Sequence, residues 1–519
     1  MNIKITPNTF NNKFIPFQKK DMTPPARMNN LQNDTFEMSL GYVNDIHGQT
    51  NNMMRILSGL KGDLKLSAGD NDIGDEKNRP IHKATTKFLN MANIKASALG
   101  NHELDTTQSD FMQTLNEYEG SVLSVNIKKE PRVPDENKQL GHADFDKKIR
   151  KSTIVDVKGE KIGLVGASPV DMFERATHPD YHRDCSVDSL EETIDDIQDE
   201  VDDLKEKGIN KIFLLSHLGY KKDKIVAQYT DGIDVIVGGH THELIKDIKE
   251  GENLFYSKNN EPVIITEAGR DGKAFGLLNL QFNKNGVITK AQNNLAETSL
   301  FYRNMVDQTI FDDILGKPEK IGYVKYAPMP PSTLIEENPH ANFMCDAMRH
   351  ELNTDIAVWN NAGPRNFFHE GFVDSRDIRD IAPFRDGVAV ANVTEEKLVN
   401  WLKEIIKKSY NSPGYKPGLI AVSGLNYTVD LKNGKLVEIN FVDKDGIEHN
   451  IDVNNPRKDT TYKIAADSFM MFGGADNGVL VEKEQCIHYK ECKDYFTCEY
   501  IKKMKEPVII NQTGRIKFI

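Results

Sequence analysis

"TFEMSLGYVNDIHGQT", residues 35–50, runs from an apolar segment of strand character into a polar turn carrying Asp45 and His47 two positions apart. A short apolar run that stops at a polar turn reads as a buried strand between helices. The pattern returns four times. "LKLSAGD" (64–70) ends on Asp70, and "IKASALGNHELD" (94–105) ends on Asn101, His102 and Asp105. "KIFLLSH" (211–217) ends on His217, and "DVIVGGHTHE" (234–243) brings His240 and His242. Ligands of open α/β sheets gather beyond the carboxyl ends of the strands, and every one of these polar groups falls there.

Imidazoles, carboxylates and one carboxamide form a mixed N/O donor set suited to Zn, Mn, Fe or Co. A shared carboxylate can hold two cations roughly 3.5–4 Å apart, and such a pair lowers the pKa of a bound water and polarises a phosphoryl oxygen. Taken singly, a strand-end His is more often a structural hydrogen-bonding residue, and a Gly-Asp is usually a turn. Five such groups in order at five strand ends point to one metal site.

The remaining sequence frames that site. At 519 residues the chain is too long for one ordinary core, so two or more domains are expected. A net charge of −12 argues against a nucleic-acid duplex as partner. No run of 18 apolar residues suggests a membrane span. Residues 1–35 lack the apolar stretch of a secretory signal and read as a flexible leader, which makes a cytoplasmic location the default and leaves export by another route open. Cys486, Cys492 and Cys498 fit no common zinc spacing and read as free or locally paired thiols. In "DSLEETIDDIQDEVDDLKEKG", Leu190, Ile194, Ile197, Val201 and Leu204 mark a helix face, with Gly208 as its C-cap. Hairpins are expected at "VDVKGEKIGLVG" and at "LQFNKNGVITKA".

In these residues the chain resembles the calcineurin-like metallophosphoesterases, whose pattern is D-x-H, GD, GNHE, a lone H, and GHxH. The subgroup it resembles is the bacterial 5′-nucleotidase, UDP-sugar hydrolase and 2′,3′-cyclic phosphodiesterase group. The resemblance implies an α/β (α+β) fold: a four-layer α/β/β/α catalytic domain over 36–300, a helical linker at 301–318, and an α/β substrate-binding domain over 319–519. It implies two divalent ions, one held by Asp45, His47, Asp70 and His242, the other by Asp70, Asn101, His217 and His240. His102, oriented by Asp105, would contact the phosphate. The activity implied is hydrolysis of nucleotides or related phosphate esters by a dimetal-held hydroxide. Cyclic phosphodiesterase and nucleotide-sugar pyrophosphatase are the alternatives within the class. A non-catalytic binding or surface protein that keeps the fold is the alternative outside it. A monomer or weak dimer is expected.

The second half resembles the substrate-binding domain of the same group. "WNNAGPR" matches a glycine-rich loop and places Asn360 and Arg365, the latter on phosphate. "APFRDG" places Phe384, and "DSFMMFGGADN" places Phe469. Two such aromatics would sandwich a base, although either ring would also serve a core. The family's Pro-Phe-Gly-Asn reads Pro383-Phe384-Arg385-Asp386 here, and its Gly-Gly-Asp reads Gly473-Gly474-Ala475-Asp476. Arg385 then either meets a second acidic group of the substrate or is a surface cation.

Overall fold

The computed structural model describes residues 15–16, 35–129, 148–174, 178, 181, 185–411, 417–474, 477–511 and 514–519. Nearly all of the 1–35 leader and the Ala475-Asp476 pair lie outside these residues. The chain divides into two compact units, 1–316 and 317–519.

Two large sheets form the core of the first unit. One has eight strands, among which Phe36–Val43, Leu64–Ser67, Ala96–Ala98 and Ser121–Leu123 run parallel. The other has six, with Glu160–Ala167, Ile212–Ser216, Val235–Gly238 and Pro262–Thr266 parallel. The apolar runs in the sequence are these parallel strands, continuous rather than alternating because both faces are covered. Leu40, Leu66 and Ala98 from one sheet pack against Leu164, Leu215 and Val237 from the other. Helices cover the outer faces: Met53, Phe88 and Phe111 lie over the first sheet, and Ile197, Val201 and Val226 over the second. The order is α/β/β/α, as expected.

Local signals hold where the chain must turn. The hairpin between Ser152–Val157 and Glu160–Ala167 turns at Lys158 and Gly159, both at positive φ, which matches the twist of two-residue hairpins. Leu190–Glu206 is a helix with a full capping box: Ser189 accepts from the Glu192 amide, and Glu192 accepts from the Ser189 amide. Its buried face is Thr193, Ile197, Val201 and Leu204, while Leu190 and Ile194 are half-buried.

The second unit centres on a five-stranded sheet in the order Ile420–Ser423, Ile356–Asn360, Thr461–Asp467, Gly387–Thr394, Ile487–Cys492. The helix Glu395–Asn411 packs on one face, where Leu398, Leu402 and Ile405 are buried with Ile356 and Val358. Pro339–Glu351 and Lys493–Lys503 pack on the other, where Met344, Met348 and Phe496 are buried with Ala357 and Trp359.

The stretch expected as a linker is a helix, Met305–Leu315, capped by Asn304 and ended by Gly316 at φ +80. It is not a free-standing connector, because Phe311 is buried in the first unit's helical layer with Met54 and Phe88. Both tryptophans, Trp359 and Trp401, lie in the second unit. Tryptophan emission therefore reports that unit, and far-ultraviolet circular dichroism reports both. Phe311→Ala is expected to destabilise the first unit by about 3–5 kcal/mol. In urea it moves a dichroism transition and leaves the emission midpoint in place; movement of the emission midpoint alone would refute this packing.

Candidate metal centre

Strand register brings the polar turns together. Val43 pairs with Ser67 and Ser67 with Ser97, while Ser216 pairs with Gly238 in the other sheet. The turns then bond to one another. The amides of Asp45 and His47 donate to the carbonyls of Gly69 (2.9 Å) and Asp70 (3.0 Å). Across the sheets, the His240 amide donates to Asp45 (3.0 Å), and His217 donates through Nδ1 to the Ala68 carbonyl (2.6 Å).

Three groupings result: Asp45 with His47 and His242; His47 with Asp70 and His102; and Asp70 with His217 and His240. In each, the ligand atoms lie within 4.8 Å of one another. Asp70 Oδ2 is 3.0 Å from His217 Nε2 and 3.7 Å from His47 Nε2, and Asp45 Oδ1 is 3.3 Å from His242 Nε2. Nε2 of His47, Nε2 of His217 and Oδ1 of Asn101 are buried without a hydrogen bond in correct geometry. Buried polar atoms are rarely left so. Three of them, among carboxylates and imidazoles, fit a pair of N/O-ligated divalent ions. Six of the seven residues expected as ligands fall in these groupings, and the seventh, Asn101, precedes His102 in the chain with its Oδ1 buried.

The backbone is forced to build this cluster. Ten non-glycine residues among those described have positive φ, and five are Asp45, His47, Asp70, His240 and His242. A sixth is Asp271 at φ +59. Left-handed backbone is costly for such residues and concentrates where the surroundings hold it for function. Glu103 is part of what holds it: its carboxylate accepts from the amides of Asp70 (3.1 Å), Asn71 (2.8 Å) and Gly100 (2.9 Å). Burial, followed by the Asp70 charge, pushes the Glu103 carboxyl up to about 7.

His102 donates through Nδ1 to Asp105 at 2.6 Å, and Asp105 is itself held by the Gly74 amide at 3.0 Å. The expected pair is therefore in contact, beside His47 and Asp70.

Two partners escaped the sequence reading. Asp271 lies 3.0 Å from Nδ1 of His47, and Asp171 lies 3.5 Å from Nε2 of His240. A carboxylate on the far nitrogen of a ligating imidazole fixes its tautomer and raises its basicity. Burial disfavours charge on Asp271, but Lys273, the His47 bond and Arg270 outweigh it and keep the carboxyl well below its usual range. A signal for Asp271 was present, since "PVIITEAGRDG" (262–272) is another apolar run ending in a polar turn, on the next parallel strand.

Burial also disfavours charge on His217, but Asp70 and Asp45 outweigh it and raise the imidazole to about 10. Burial lowers His240 and His242, which keeps them neutral and ready as ligands.

In the second unit, Asn360 ends its strand buried, and the Arg365 guanidinium lies 5.2 Å from the Phe384 ring centroid. Phe469 is 45% exposed, with its ring against Gly474. Arg385 is not a free surface cation, because it pairs with Asp494 at 2.5 Å, with its side chain 27% exposed. Cys345, Cys486, Cys492 and Cys498 are free thiols, and no metal grouping among the described residues includes a cysteine.

Comparison with known proteins follows this division. The calcineurin-like phosphoesterase family matches residues 38–244, and the 5′-nucleotidase C-terminal domain matches 320–482. The chain is 26% identical to the trifunctional nucleotide phosphoesterase YfkN of Bacillus subtilis over 93% of its own length. It covers 35% of that relative, so it spans about a third of YfkN. Human 5′-nucleotidase is 26% identical, covering 83% of this chain and 78% of the relative. Among solved structures, a 5′-nucleotidase precursor from Thermus thermophilus superposes with a TM-score of 0.68 at 22% identity, covering 93% and 99% of the two chains. The sulfate thiohydrolase SoxB of Thermus thermophilus gives 0.62 at 14%, covering 93% and 96%. At these identities the superpositions show a shared fold.

Asp271→Asn is expected to weaken Mn binding about 10- to 100-fold, read by calorimetric titration; unchanged affinity would remove Asp271 from the centre. The raised His217 gives a second expectation. In the metal-free protein its charge stabilises the fold fully below the ordinary imidazole value of 6.5, and that stabilisation is lost as pH rises through about 10. At pH 8 the ring still carries its proton, so metal uptake should expel about one proton, measured in weak buffer. Uptake with no proton release would contradict the assignment of His217 as a ligand.

Proposed function

The chain is a calcineurin-like phosphoesterase that carries a 5′-nucleotidase C-terminal domain, and from that premise we propose that it hydrolyses phosphate esters of nucleotides. One observation carries the reading: the convergence of Asp45, His47, Asp70, His217, His240 and His242, with Nε2 of His47, Nε2 of His217 and Oδ1 of Asn101 buried without hydrogen bonds. Two divalent cations bound there would supply Lewis acidity toward a phosphoryl oxygen and an acidified water.

The chain's own residues do the rest. Asp105 fixes the ring of His102 through Nδ1, and His102 sits beside His47 and Asp70, where a phosphoryl group would lie. A donor held in place toward developing charge needs no reorganisation as the bond breaks. In the second unit, Arg365 suits a phosphate group, and Phe384 and Phe469 suit a base. Relatives named as nucleotide phosphoesterases support a nucleotide over another ester. The fold alone does not choose, since a sulfate thiohydrolase shares it. The Arg385–Asp494 pair replaces the asparagine expected to read a base edge, which favours tolerance among bases over strict selection of one.

The test is a panel of nucleoside 5′-monophosphates, 2′,3′-cyclic nucleotides and nucleotide sugars with Mn-reconstituted protein. Release of phosphate or nucleotide from at least one class is expected. No turnover of any of them with Mn, Zn, Fe or Co would sink the proposal. His102→Ala should lower kcat by about 10²- to 10³-fold with metal content unchanged; a fall in metal content would make His102 a ligand instead.

A further inference from the structure

Four segments of the second unit meet at one edge of its five-stranded sheet. Ile356–Asn360 and Thr461–Asp467 are parallel, so both end there. Gly387–Thr394 is antiparallel to them and begins there, and Ile487–Cys492 is antiparallel to that strand and ends there. The edge therefore collects the loop from Asn360 to Arg365, the turn bearing Phe384, the short helix Ser468–Met471 bearing Phe469, and the first turn of the helix Lys493–Lys503.

A buried cation sits among them. Lys493 is 0% exposed. Its ammonium pairs with Asp467, lies 3.5 Å from the Asp386 carbonyl and 5.4 Å from the centroid of the Trp359 ring. Each partner belongs to a different segment. Asp467 also caps the Phe469 helix, accepting from the Met470 amide at 3.1 Å. Asp386 closes the Phe384 turn. Trp359 precedes Asn360, and a Cβ added at Gly363 would sit 2.5 Å from its indole, so the loop lies on the same ring. The neighbouring residues repeat the hold. Asp494 pairs with Arg385, and the Cys492 thiol donates to the Arg385 carbonyl at 3.2 Å. Burial would strip the proton from Lys493, but Asp467 and Asp386 outweigh it and raise the ammonium's pKa.

A buried ion pair contributes little net stability relative to an apolar filling of the same volume. What it does supply here is a single point to which three segments are tied by charge and direction. We propose that Lys493, with Asp494 beside it, is a positioning residue that fixes the spacing of Phe384 and Phe469 and thereby sets the affinity for the nucleobase. This rests on the assignment of those two rings to the base.

The experiment compares adenosine 5′-monophosphate with ribose 5-phosphate, the same ester without the base, using the full chain reconstituted with Mn. Wild type is expected to favour the nucleotide. Lys493→Met should raise KM for the nucleotide by about tenfold, the loss of one stacked contact, with kcat and the ribose 5-phosphate kinetics unchanged. Asp494→Asn, which keeps a hydrogen bond to Arg385, should raise it by about threefold; it decides the matter if Lys493→Met does not fold. Variants that leave the nucleotide KM unchanged, or that change both substrates equally, overturn the positioning role alone. A wild type that does not discriminate between the two esters overturns the assignment of the rings to the base, and the positioning role with it.

Discussion

The structure of the first unit turns on one carboxylate. Asp70 faces imidazoles from both sheets, His47 from the first and His217 from the second. Its own backbone is left-handed, and its amide is held by Glu103. Burial works against its charge, yet the imidazoles keep it ionised well below the usual carboxylate range. Such an arrangement is unfavourable for an empty core and favourable around cations, which replace like-charge crowding with attraction. The left-handed residues at the strand ends, the Glu103 hydrogen bonds and the Asp271 partner all serve to present that carboxylate and its neighbours at one point.

The two units divide the work by kind of interaction. In the first, the groups are charged or ligating, and their positions follow from parallel strands ending at one edge. In the second, Phe384 and Phe469 stand beside turns held by ion pairs, Lys493 with Asp467 and Arg385 with Asp494. Metal chemistry demands a fixed donor set. Recognition of a base demands two flat faces at a set spacing, and many sequences can hold those faces. The motifs are accordingly intact in the first unit and altered in the second.

The helix Met305–Leu315 shows what a local pattern contains and what it does not. Its cap and its stop at Gly316 are local and were readable. Whether it links two bodies or belongs to one depends on where Phe311 packs, and the pattern of a single helix does not contain that information. Arg385 is similar. Its neighbours in the chain suggest a surface or a substrate contact, while its partner lies 109 residues away.

By itself, the amino-acid sequence determined the strands, the turns that stop them and the seven donors at their ends, because apolar runs, Gly-Asp turns and helix caps act over a few residues. It also carried the family's motifs, since a dimetal site tolerates few residue types at each position. Only the tertiary structure decided which strands fall in which sheet, that Asp171 and Asp271 back the imidazoles, and that Lys493 meets three separate segments. Those outcomes depend on which faces are buried against each other and on contacts between segments 26 to 224 residues apart, and no local pattern specifies such partners.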